Sequence, residues 1–175
     1  MKINTNRVLS IMKIISRVVF IGLCIKTGVL LITSLFSLFM NPEAAGNLYL
    51  GLDLSEMYAT NRWYYVNTLS FIVALSALKA YLFYLVTKIF LKFNLNHPFT
   101  PTVVSLIGKI SHIALGIGVV ALIAQSYSER LLHRGLEIDQ NWGSEEFLFL
   151  AGIIFIIALV FKRGVEIQLE NELTI

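Results

Sequence analysis

The sequence predicts an all-α integral membrane protein, a bundle of four transmembrane helices with both termini on the cytoplasmic side. Three observations carry that expectation. Hydrophobic residues make up 57% of the 175-residue chain and charged residues only 14%, whereas about a quarter of the residues in soluble domains are charged. Four apolar stretches reach or approach the roughly 20 residues that a helix needs to cross about 30 Å of hydrocarbon, where every backbone N–H and C=O must be paired within the segment. The cations, finally, concentrate in alternate connections. At this length one domain is expected, and no polar stretch is long enough to hold a separate soluble unit.

The first six residues are polar, after which Val8, Ile11, Met12 and Ile15 recur at helical spacing with Lys13 and Arg17 among them. That pattern predicts an interfacial helix leading into the first span. The span itself covers about 18–40, is broken only by Lys26, and ends at Asn41-Pro42 because proline cannot continue a helix. Lys2 and Arg7 ahead of an apolar run also suit a signal peptide. The run is longer than a typical h-region, however, and no clean small-x-small site follows, so it reads as a retained span.

The second span, about 63–90, opens on Trp63-Tyr64-Tyr65 and is interrupted by Lys79, and the third covers about 110–127. The fourth, about 145–163, is the weakest. Its uninterrupted run from Phe147 to Phe161 is 15 residues, or roughly 22 Å at about 1.5 Å per residue. Ser144 suits an N-cap, Glu145-Glu146 suit the positive end of a helix, and Trp142 suits the headgroup layer. The helix is therefore expected to start among headgroups and to end at Lys162-Arg163, leaving 164–175 as a cytoplasmic tail.

Orientation follows from the cations, which are retained on the cytoplasmic side of spans. Nine lie in the N-terminus, middle loop and tail: Lys2, Arg7, Lys13, Arg17, Lys88, Lys92, Lys109, Lys162 and Arg163. The other two loops hold three, Arg62, Arg130 and Arg134, among eight acids: Glu43, Asp53, Glu56, Glu129, Glu137, Asp139, Glu145 and Glu146. Trp63 and Trp142 beside Tyr64, Tyr65 and Tyr127 suit an aromatic belt at the outer interface. These patterns predict a multi-pass membrane protein with both ends on the cytoplasmic side.

Lys26 and Lys79 are the sharpest anomaly, because an intramembrane charge costs several kcal/mol and is a functional candidate by default. Lys26 sits 8 residues and Lys79 11 residues from its cytoplasmic span end, and no apolar run supplies an acidic partner. Snorkelling toward the inner headgroups, neutralisation, or an anionic ligand held between helices would each accommodate them. Pro98, Phe99 and Thr100 read as a corner before a helix capped by Thr100 with Pro101 at its first position. The corner is either a rigid turn or a docking surface with Phe99 as its apolar contact. In the tail, Gly164, Val165, Glu166, Gln168, Leu169 and Leu173 include an apolar stripe at 165, 169 and 173 and a Lys162–Glu166 pair four apart. That stripe either folds back on the protein's own loop or binds a partner.

The remaining chemistry is sparse. Cys24 lies alone in an apolar run, and His97, His112 and His133 are too scattered to form one metal site. Ala114 with Gly118, and Ser76 with Ala80, have the small-xxx-small spacing of helix packing. No phosphate loop, nucleophile elbow or paired intramembrane carboxylate appears, so no enzyme, cofactor, metal or direct nucleic-acid binding is expected.

Pro98-Phe99-Thr100, together with Gly164-Val165-Glu166, Gln168 and the ending Glu170-Asn171-Glu172-Leu173-Thr174-Ile175, resembles the YoaS-like family of bacterial four-span membrane proteins, a domain of unknown function. The chain departs from the family pattern where Asn96-His97 replaces a Gly-Lys pair and Glu172 replaces an aspartate. The resemblance implies pairing with a small cytoplasmic helix-turn-helix regulator. The expected function is thus a sensory or regulatory membrane component acting through such a partner, with the bilayer as its solvent and room for a homo-oligomer. The alternative is a small permease or channel component that uses Lys26 and Lys79 for an anionic solute.

Overall fold

In the computed structural model of the protein, residues 5–94, 98–138 and 140–172 are described, and among them there is no strand. Helix α1 spans Thr5–Phe39. A short 3-10 helix at Pro42–Gly46 and α2 at Ser55–Thr60 follow, then α3 at Arg62–Lys92, α4 at Pro101–Leu132 and α5 at Ser144–Glu172. The helices α1, α3, α4 and α5 are each long and apolar enough to cross a bilayer.

Every expected span is present, and each runs longer than its apolar stretch. The basic turns around Lys13 and Arg17 are the first part of α1 instead of a separate interfacial helix. Nothing between Thr5 and Phe39 breaks the helix more strongly than glycine, which costs about 1 kcal/mol. The start of α4 follows its sequence signals: Thr100 is extended (φ −121°, ψ 145°) and its hydroxyl accepts the Val103 N–H at 3.3 Å, with Pro101 in the first turn. Ser144 does begin α5, but its hydroxyl donates to Gln125 Oε1 at 2.7 Å, tying α5 to α4. The segment expected to be a tail continues α5 through Gly164 to Glu172. Its ion pair joins Arg163, not Lys162, to Glu166 at 2.8 Å.

Consecutive long helices pack antiparallel: α1 on α3, α3 on α4, and α4 on α5. Between α1 and α3 three hydroxyl pairs form a ladder, Ser16 with Thr87 at 3.4 Å, Thr27 with Ser76 at 2.7 Å, and Ser37 with Tyr65. The rungs lie about three turns apart, so they recur on one face of each helix. Such hydrogen bonds hold helices together where lipid removes the hydrophobic drive for association.

Along α4 the small residues Ser111, Ala114, Gly118 and Ala121 are buried. The Ser111 hydroxyl donates to the Ala151 carbonyl of α5 at 3.0 Å, and a Cβ on Gly118 would stand 2.7 Å from Leu148. The backbones of α1 and α5 do not approach one another among the described residues. Because each step is antiparallel, the Thr5 end of α1 and the Glu172 end of α5 share one end of the molecule. This end carries Arg7, Lys13, Arg17, Lys88, Lys92, Lys162 and Arg163 and is called the basic end below. The opposite, acidic end carries the connections 40–61 and 133–143.

The connection 40–61 folds against the helices and is not a free loop. Ala45, Leu48, Leu54 and Met57 are buried and join Leu30 of α1 and Leu69 and Ile72 of α3 in the main core. Its tip turns through Leu50 and Gly51, both at positive φ, and two hydrogen bonds, Leu48 N–H to Leu52 O and Leu54 N–H to Ala45 O, close it. The aromatic belt divides in two. Trp63 is 72% exposed, as an interfacial ring would be, but Trp142 is only 5% exposed. Trp142 Nε1 donates to Ser128 Oγ at 2.9 Å and its ring meets Phe71 edge-on. Tyr65 is fully buried against Tyr58 and bonded to Ser37, so it too belongs to the core.

Candidate functional site: a two-lysine crevice

Lys26 and Lys79 come from different helices, α1 and α3, and converge on one place. Both line a small pocket of about 40 Å3 with Leu23, Ser76, Gln140, Asn141 and Trp142. The ladder explains the convergence. Thr27 and Ser76 bond across the same level, and Lys26 and Lys79 flank them, one residue before and three residues after. A constant antiparallel register therefore brings the two ammonium groups to similar depth, roughly 20 Å from the Phe39 end of α1 at about 1.5 Å per residue.

Both side chains lean toward elements of the acidic end. Lys26 Nζ lies 6.0 Å from the Tyr49 ring centroid and Lys79 Nζ 5.0 Å from that of Phe147, within cation–π range. Of the three accommodations the sequence left open, a lean of both side chains toward the basic end is not the arrangement seen. The path toward the acidic end is polar and open, and negative charge lies along it. Neither lysine forms an ion pair with a described residue.

Lys26 and Gln140 also line an adjoining cavity of about 520 Å3, whose other walls include Tyr49, Asp53, Ser55, Glu56 and Glu137, and the two cavities together form the crevice. The Ser55 N–H and hydroxyl donate to Asp53 Oδ1 at 2.8 and 2.7 Å. These bonds hold the Asp53 carboxyl below the usual aspartate range, the hydroxyl contributing most. The crevice therefore has cations at its base and carboxylates toward its mouth. Asp139 lies outside the described residues.

At the basic end the structure joins two motifs that are 65 residues apart in sequence, from Phe99 to Gly164. The Phe99 ring packs on Phe161 at 5.3 Å and occupies the space above Gly164, where a Cβ would stand 2.5 Å from Phe99 Cδ1. Thr100 caps the helix that presents this corner, and Pro98 and Gln168 are partly buried. Val165 and Glu166 are partly buried, whereas Leu169 is exposed along with Ile167, so the stripe is only partly covered. Leu173, Asn96 and His97 lie outside the described residues.

The crevice therefore gathers residues that the sequence did not single out: Tyr49, Asp53, Glu56, Glu137 and Gln140. The acids were legible only as outer-loop charge, and nothing in their spacing showed that connections 40–61 and 133–143 meet. His112 Nδ1 is satisfied by the Gly108 carbonyl at 2.7 Å, and no cluster of metal-ligating side chains occurs among the described residues. The chain matches no protein-family model, no curated protein and no solved structure.

Proposed function

We propose that the protein is a sensory or regulatory component of a bacterial inner membrane, which binds a ligand in the two-lysine crevice and engages a soluble partner at its basic end. The carrying observation is that Lys26 and Lys79 meet at the base of one open crevice and pair with no described carboxylate. Two ammonium groups at this depth cost several kcal/mol unless something compensates them, which is the signature of a functional charge. The excess of Lys and Arg at the basic end supports its placement in the cytoplasm, and with it both termini. The crevice then faces outward.

The Phe99, Phe161 and Gly164 corner supports an output surface, since Phe99 is 37% exposed and Leu91, Ile167 and Leu169 are exposed at the same end of the molecule. The resemblance to the YoaS-like family suggests a small helix-turn-helix regulator as the partner. A photo-crosslinker at Leu169 tests the reading in cells. A soluble protein captured there, with a yield that changes in the Lys26→Met, Lys79→Met double variant, is the expected outcome; an unchanged yield refutes sensing.

The mid-depth position of the lysines also favours a second reading, a permease for an anionic solute. Against a pore within one copy stands the lack of any backbone approach between α1 and α5 among the described residues, which leaves no closed lumen. Loss of anion uptake in the double variant with unchanged crosslinking would select transport.

A further inference from the structure

We infer that the crevice receives a small zwitterion, its anionic group on Lys26 and Lys79 and its ammonium group among Asp53, Glu56 and Glu137. This rests on the reading of the crevice as a ligand site and names the chemistry of the ligand. The argument is the order of charges along the crevice. A plain anion suits the lysines but must pass and sit beneath three carboxylates, and like charges at close quarters are a recognised means of rejecting a ligand. A plain cation suits the mouth and finds two ammonium groups below it. Only a molecule carrying both signs, oriented anion-first, answers both ends at once.

Several details agree with this occupant. Asp53 stays ionised because Ser55 donates two hydrogen bonds to it. Gln140 lines both the deep pocket and the wide part, where its amide can donate or accept between the charged groups. The volume, about 520 Å3, lies within the roughly 300–1,000 Å3 of small-molecule sites. It has room for an amino acid or short peptide. A zwitterionic phosphoethanolamine headgroup shares the chemistry and is the competing source.

The test uses the full chain purified in an uncharged maltoside detergent, with binding measured by calorimetry. Probes are glycine, glycylglycine, triglycine and phosphoethanolamine, each zwitterion, against N-acetylglycylglycine, which lacks the ammonium, and glycylglycine amide, which lacks the carboxylate. At least one zwitterion is expected to bind tenfold or more tighter than both blocked peptides. Binding by peptides assigns a soluble source, and binding by phosphoethanolamine alone assigns a lipid headgroup. Lys26→Met with Lys79→Met, and separately Glu56→Gln with Glu137→Gln, should each weaken the tightest probe at least tenfold.

No binding by any zwitterion, or equal binding of the acetylated peptide, overturns the inference. So does a carboxylate variant that binds as the wild type does. The blocked ligands decide the matter on unmutated protein, so a variant that misfolds does not spoil the result. A bound zwitterion with no effect on crosslinking at Leu169 would retire the sensory reading and keep this one; lysine-dependent crosslinking with no zwitterion bound would do the reverse.

Discussion

Adding one methyl group at Gly118 should loosen the α4–α5 pair, while the same change two residues earlier should not. A Cβ at Gly118 would stand 2.7 Å from Leu148 Cγ and Cδ2 and 3.0 Å from the Leu148 backbone nitrogen. The side chain can rotate away, but the backbone contact persists unless the helices separate. Overpacking of this kind costs about 1–3 kcal/mol, against a gain of at most about 1 kcal/mol from replacing glycine within a helix. Gly118→Ala is therefore expected to destabilise by up to about 2 kcal/mol. Gly116 has nothing within 4 Å of its Cβ position, so Gly116→Ala should be neutral or stabilising by up to about 1 kcal/mol. The assay is reversible denaturation in mixed micelles by SDS, followed by circular dichroism and the fluorescence of Trp142, which sits beside this interface. Equal stabilities for the two alanine variants would refute the close approach of α4 and α5.

Replacing Thr27 by valine removes a rung of the α1–α3 ladder and should cost about 0.6 kcal/mol, with coupling to Ser76→Ala in a double-mutant cycle up to about 1.7 kcal/mol; zero coupling in the same SDS assay would argue against that register. The Lys26→Met, Lys79→Met double variant should be at least as stable as the wild type, by roughly 1 kcal/mol or more, since two unpaired charges are removed from mid-depth. A marked loss of stability would make the lysines structural props instead of ligand groups. Trp142→Phe deletes the bond to Ser128 and some buried volume, and should cost about 1–3 kcal/mol; a change within 0.5 kcal/mol, roughly that of a typical surface substitution, would return Trp142 to the interface.

Much of the architecture was legible because it depends on length and composition. Thr100-Pro101 gave the start of α4 to the residue, and Ser144 gave the start of α5. Boundaries set by weaker signals were less clear. Gly164 next to Lys162-Arg163 looks like a helix end, but a single glycine does not stop a helix that packs under Phe99 at Phe161 and Gly164. Trp142 and Tyr65 illustrate the limit of the belt argument. Both types suit an interface, yet each finds a hydroxyl partner inside, Ser128 for one and Ser37 for the other, and that satisfies the polar atom that would otherwise seek headgroups.

The candidate site was half legible. Lys26 and Lys79 stood out because charge in an apolar run is anomalous wherever it occurs. Their convergence was not apparent, although the spacing of Ser16, Thr27 and Ser37 against Tyr65, Ser76 and Thr87 encodes it in retrospect. Two hydroxyl series of matching period admit several registers, and only packing selects one.

The sequence alone determined four helices of spanning length, the contrast between a basic and an acidic end, and two cations out of place. Each of these depends on one stretch of chain and its solvent, so local composition suffices. The tertiary structure decided that those cations share a crevice, that Asp53, Glu56 and Glu137 line its mouth, and that Phe99 meets Gly164. Each of these contacts joins segments distant in the chain, and their geometry is set by helix register and by loops folding onto a shared core.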